Sequence, residues 1–131
     1  MAGTLTIDTL KASTGVLATQ NGMTGIAKAW VNFDGTSATI RGSFNVGSVT
    51  RNSTGYYTVN FSTAMADANY ATKVSTSASF GAASAGAVQV ATTNTGTEIA
   101  PTSSAISFTL INVAGSANID AKYINVSING N

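Results

Sequence analysis

The chain contains no cysteine and no histidine. Disulfides, thiol nucleophiles, Cys/His zinc sites and the usual near-neutral acid–base group are therefore all excluded. Charge is nearly as scarce. Charged residues make up 8% of the chain, against about 25% in an ordinary soluble domain. Six Lys and Arg against five Asp and Glu leave a net charge of +1, too weak a field to gather nucleic acid or an anionic membrane. No apolar run approaches the ~18 residues that a membrane-spanning helix needs. The opening MAGTLTIDTL lacks a basic stretch followed by an apolar core, so folding in a cytosol without a secretory signal is expected. There is one proline, Pro101.

What fills the chain instead is small and neutral. Fifteen Ser, twenty Thr, twelve Asn and thirteen Gly occupy 60 of 131 positions, and the mean hydropathy is +0.19. Thr is stiff and branched at Cβ and suits strands packed side by side. A surface with so little charge has little defence against self-association, which points to an oligomer.

Apolar residues alternate with period two over about 26–33, 38–49, 55–63, 69–79, 86–93, 104–113 and 118–128. This predicts about seven strands in one all-β domain, an antiparallel β-sandwich. Asp34-Gly35 is placed at the first hairpin as a source of positive φ, and RNSTG (51–55) at the second. The segments 80–86, 94–104 and 114–118 read as loops, with Pro101 in the longest. An Ala-rich stretch at 82–87 has too much Gly and Ser for a helix. Residues 26–131 form the expected knob. Residues 1–25, with Leu5, Ile7, Leu10, Val16 and Leu17 scattered among small polar residues, are too apolar-poor for a core. They read as an extended arm lying on sister subunits or attaching the knob to a larger assembly.

Expected inward faces are Ile40, Phe44 and Val46; Tyr57, Val59 and Phe61; and Ile106, Phe108 and Leu110. Two segments slip phase, at Leu110–Ile111–Val113 and at Tyr123–Ile124–Val126–Ile128. A slip means a bulge or a strand covered on both faces, so Ile124, Val126 and Ile128 are candidate subunit contacts. In GIAKAWVNFDGT (25–36) the small and apolar Ala27, Ala29, Val31 and Phe33 face one way. Lys28, Trp30 and Asn32 face the other. The single tryptophan thus stands on the polar side, as does Tyr56 on its own strand. Both rings fit a subunit interface, where aromatics are enriched. Flat platforms for a sugar are the alternative.

The stretches AKAWVNFDGT (27–36) and IRGSFNVGSVTRNSTGYYTVNFSTAMADANYA (40–71) resemble a domain at the C-terminal ends of bacteriophage tail-fibre proteins, many from phages of cyanobacteria and other marine bacteria. GTLTIDTLKASTG (3–15) is similar to the leader that often precedes it, and DAKYINVSINGN (120–131) to its last strand. The chain departs from that pattern at Tyr56, often acidic there, and at Ala66, often proline. The resemblance implies a homotrimeric β-rich module of a virion, assembled in the host cytoplasm and released by lysis. Its partners would be other virion proteins of tail or capsid and a host-surface glycan or protein, with no cofactor, nucleic acid or membrane insertion.

Nothing pairs an acid with a base at a recognisable spacing, so no enzyme is expected. The carboxylates are Asp8, Asp34, Asp67, Glu98 and Asp120. Asp34 and Asp67 read as turn residues, and five acids are too few for a calcium loop. The triplets NST (52–54), NFS (60–62) and NVS (125–127) match glycosylation acceptors, a chance pattern in so Asn- and Thr-rich a chain. Candidate receptor contacts are the loops Asn52, Ser53, Thr54, Gly55 and Asn94, Thr95, Gly96, Thr97. Three readings stay open: a short trimeric fibre or fibre tip for host attachment, a capsid decoration protein, and a non-viral carbohydrate-binding adhesin.

Overall fold

The structure is a computed structural model and describes residues 26–77, 85–90, 98–112 and 117–130. The N-terminal arm, Val113 and the loop at 94–97 lie outside the described residues. Every regular element among them is a strand: β1 (Ala27–Asp34), β2 (Thr39–Phe44), β3 (Val46–Ser53), β4 (Tyr56–Phe61), β5 (Ala71–Thr76), β6 (Ala85–Val90), β7 (Ala105–Asn112) and β8 (Ile124–Asn129). They form two sheets with all neighbours antiparallel, one ordered β2-β1-β8-β5 and the other β3-β4-β7-β6.

The expected alternation holds along β1 and β8. Ala29, Val31 and Phe33 of β1 and Ile124, Val126 and Ile128 of β8 point inward and are buried. Facing them from the other sheet are Tyr57 and Val59 of β4 and Ile106, Phe108 and Leu110 of β7, also buried. Tyr57 joins the layers: its ring meets Phe33 edge-on at 5.4 Å between centroids and Phe108 at 5.6 Å. Phe61 is only half-buried, with its ring edge-on to Tyr70 at 5.7 Å.

Three local expectations fail, each for a backbone reason. The segment 38–49 is two strands, because Asn45 takes a positive φ of 54° and turns the chain from one sheet into the other. Asn tolerates that conformation better than most residues. Its side chain locks the corner, donating to the Lys28 and Thr63 carbonyls at 3.2 and 3.1 Å and accepting from the Thr63 N–H at 2.8 Å. The β1–β2 register skips Arg41 between the Phe33–Ile40 and Asn32–Gly42 pairs, a bulge that reverses the parity of the end of β2. Phe44, expected inside with Ile40 and Val46, is therefore outside and 56% exposed. In the first hairpin the positive φ belongs to Ala38 (58°), not to Asp34-Gly35.

Gly35 is needed for space instead. A Cβ there would meet the Ala121 carbonyl oxygen, Ile124 Cδ1 at 2.6 Å and the Tyr57 hydroxyl at 2.7 Å. In the second hairpin β3 runs to Ser53, leaving only Thr54 and Gly55 as the turn, and Gly55 supplies φ of 68°. The end of the Ala-rich stretch, from Ala85, is strand β6.

Gly35→Ala is expected to cost ~1–3 kcal/mol of stability in urea unfolding, because three surrounding groups must move. Gly47→Ala, whose Cβ would come no closer than 3.4 Å to Ser62 Oγ, is expected to leave the midpoint nearly unchanged.

Candidate functional site

The outward positions of the β2-β1-β8-β5 sheet form cross-strand rows. Phe44, Trp30, Ser127 and Lys73 stand side by side in one, and Gly42, Asn32, Asn125 and Ser75 in the next. A third row holds Asp34 beside the bulged Arg41, whose guanidinium lies over the Tyr123 ring at 4.3 Å and pairs with Asp34 at 2.8 Å. Trp30 is 43% exposed, on the polar side of β1 as its alternation predicts. Its six-membered ring is the nearest neighbour, at 3.6 Å, of the place where Gly42 would carry a Cβ. The missing side chain on the edge strand lets the indole lie down over it.

On the other side of the indole is a shallow depression of about 340 Å³. Trp30, Lys73, Ser75, Asn125 and Ser127 line it; Val31 and Val126, whose side chains are buried in the core, contribute their main chain. Asn32 donates its amide to Asn125 Oδ1 at 2.5 Å, which aligns the second amide and leaves its two N–H donors available. Ser127 donates to Asn129 at 3.1 Å. Lys73 and Ser75 have no side-chain partner among the described residues. An ammonium, an amide, two hydroxyls and an indole therefore share one surface, with no unpaired carboxylate beside them among the described residues.

The opposite sheet presents a different face. Thr58 and Ser107 hydroxyls hydrogen-bond across β4 and β7 at 2.8 Å, Asn52 donates to Thr58 at 2.8 Å, and Asn60 donates to Ser48 at 3.0 Å. These polar groups satisfy each other. Tyr56 lies half-buried at the end of the same sheet, opposite Thr109.

The candidates read from sequence separate accordingly. Ile124, Val126 and Ile128 are 0%, 2% and 1% exposed within the single chain, so they are core and cannot be the subunit surface. The slip at Tyr123 falls just before β8, where Ser77 and Tyr123 exchange two hydrogen bonds at 2.9 and 3.2 Å, and does not mark a two-faced strand. In the loop Asn52–Gly55, Asn52 belongs to the sheet face, Thr54 accepts from Arg51 at 3.1 Å, and Gly55 is buried. Asn52, Ser53 and Thr54 are exposed, with Ser53 and Thr54 at the tip. Asp67 accepts from the Asn69 N–H at 2.6 Å, the turn expected before β5. Missed in the sequence were Lys73, Ser75, Asn125 and Ser127. Their alternation was visible, but not that β8 lies beside β1.

Asp120 forms the strongest polar cluster. It accepts from Arg51 Nη2 at 2.6 Å, the Tyr57 hydroxyl at 2.5 Å and the Gly55 N–H at 2.8 Å. The Gly35 carbonyl, 2.9 Å from the same hydroxyl, shares that proton. Burial alone would raise the carboxyl's pKa, but donation from Arg51, Tyr57 and Gly55 outweighs it and holds Asp120 below the usual range. Burial and the Asp120 charge together push the Tyr57 phenol up. The carboxylate, the phenol and the Gly55 N–H are all engaged in holding the fold. Among the described residues no three His, Cys, Asp or Glu side chains gather as a metal site.

No protein-family model, curated protein sequence or solved structure matches the chain.

A carboxylate depressed on folding stabilises fully above its unfolded value, ~3.9, and loses that contribution as pH falls through the folded value. The thermal midpoint is expected to be flat from pH 7 to 5 and to fall below about pH 4. Asp120→Asn is expected to lower the midpoint at pH 7 and flatten the acid limb, read by circular dichroism across a pH series.

Proposed function

We propose that the chain is a structural component of a bacteriophage virion: a homotrimeric β-sandwich knob of a short fibre or fibre tip, held by its N-terminal segment and turned toward the host surface. The observation that carries this reading is the placement of Trp30, 43% exposed at the centre of a sheet's outer face and not in the core. A large exposed aromatic flanked by unused hydrogen-bonding groups fits recognition better than folding. The likeness to phage tail-fibre domains adds the setting, since residues 27–36 and 40–71 span β1 to the start of β5 and so include strands of both layers.

Assembly is assigned to the neighbouring end of the same sheet. Ile26 and Phe44 are both more than half exposed there, where the chain arrives from residues 1–25. Two uncovered apolar side chains, in a protein with so little charge to prevent association, favour contact with sister subunits. On the other sheet Asn52, Thr58, Ser107, Asn60 and Ser48 bond to one another and need no ligand to satisfy them.

Sedimentation of the purified protein is expected to give three times the 13.1 kDa of the chain, and Phe44→Asp to yield a folded monomer. Gold-labelled antibody on virions is expected at a few sites on the tail. Label over the whole head would replace the fibre reading with capsid decoration, and no label would remove the virion assignment.

A further inference from the structure

We infer that the depression beside Trp30 is a binding site for an acidic sugar, a pyranose carrying a carboxylate within a surface polysaccharide. The inference rests on the attachment reading above and names its ligand class. Its volume, about 340 Å³, is at the lower end of the ~300–1,000 Å³ typical of small-ligand sites. The open form suits one or two residues of a chain that continues past the site on both sides.

The lining sorts into the parts such a ligand needs. Trp30 offers a flat apolar surface for the C–H face of a sugar ring, with a polar rim in reach. Asn125, oriented by Asn32, presents two N–H donors to ring hydroxyls, and Ser75 and Ser127 offer hydroxyl groups on the same floor. Lys73 stands two strands from Trp30, with Ser127 between them. At ~4.8 Å per strand their backbones are ~10 Å apart, a span that accommodates a sugar ring stacked on the indole with its carboxylate toward the ammonium.

Charge selects the class. Among the described residues the face carries one carboxylate, Asp34, already paired with Arg41 and hydrogen-bonded to Thr36. Lys73 has no counter-ion among the described residues. A cation set among neutral donors beside an aromatic wall favours an anionic sugar over a neutral one, through a charge-assisted hydrogen bond. Phosphate alone would leave the indole unused, and an apolar peptide would leave the ammonium and the amide unpaired.

Trp30 is the only tryptophan, so emission from the unmodified protein reports on this site. Titration with trigalacturonate is expected to shift the emission saturably, with α-1,4-galactotriose, its uncharged counterpart, binding at least tenfold more weakly. Lys73→Gln is expected to remove that tenfold preference while keeping the weaker binding common to both. By calorimetry, Trp30→Ala is expected to bind neither, while sedimenting as the same oligomer as the unmodified protein. No saturable signal with trigalacturonate, equal affinity for the two sugars, or an unchanged preference in Lys73→Gln would each overturn the assignment. Loss of the oligomer in Trp30→Ala would do so too, by making the indole a subunit contact. The attachment reading has a separate readout, binding of fluorescent protein to intact host cells. Cell binding without trigalacturonate binding rejects only the sugar class, whereas no binding to cells rejects attachment itself.

Discussion

A single carboxylate fastens one end of the sandwich. Asp120 lies in the segment leading into β8, and its three donors all come from the β3–β4 hairpin: the Arg51 guanidinium, the Gly55 N–H and the Tyr57 hydroxyl. Main-chain bonds flank it, from the Gly35 N–H to the Ala121 carbonyl at 2.9 Å and from the Ile119 N–H to the Leu110 carbonyl at 3.1 Å. The first hairpin, the second hairpin, β7 and the entry to β8 are thereby tied at one place. In a protein with five acids that is a concentrated use of one of them. Removing the charge would leave donors from three residues at a partly buried site without their acceptor, which costs more than the bonds contribute when made.

That fastening sets where β8 runs. With Ala121 held against Gly35, β8 enters beside β1 in the register Phe33 to Ile124 and Trp30 to Ser127. Its three apolar residues then fall inward onto the Tyr57 and Phe108 layer, and Asn125 and Ser127 fall outward beside the indole. Core and binding surface are thus two faces of one strand, and a register shift of one residue would exchange them. The same dependence explains why the proposed sugar site needs no loop. Its donors stand on paired strands whose backbones cannot shift independently, so the surface is preorganised at little entropic cost on binding.

The two outer faces differ because their side chains are satisfied differently. On the β3-β4-β7-β6 sheet, Thr58, Ser107, Asn52, Asn60 and Ser48 bond to one another. On the other sheet the Asn32–Asn125 amide pair, the Ser127–Asn129 bond and the Arg41–Asp34 ion pair close in this way, but Trp30, Phe44 and Lys73 remain turned to solvent. Low charge over the whole molecule makes these few residues more consequential, because little nearby repels a partner or masks an ammonium.

Some of this was legible in the residues alone. Period-two alternation determined the all-β class, the inward faces of β1, β4 and β7, and the outward position of Trp30, because side-chain direction along a strand is a local property of the pleat. Absence of cysteine and histidine removed whole classes of chemistry on the same local footing. Tertiary structure decided the rest. The turn at Asn45 and the bulge at Arg41 each reverse parity with one residue's backbone, and their cause is a hydrogen-bond partner or strand pairing distant in sequence. Phe44 went outside for that reason, and Ile124, Val126 and Ile128 went inside because β8 pairs between β1 and β5 in a register set far along the chain. The meeting of Trp30 with Ser127 and Lys73 depends on which strands become neighbours, a choice made by long-range packing that no short window of sequence records.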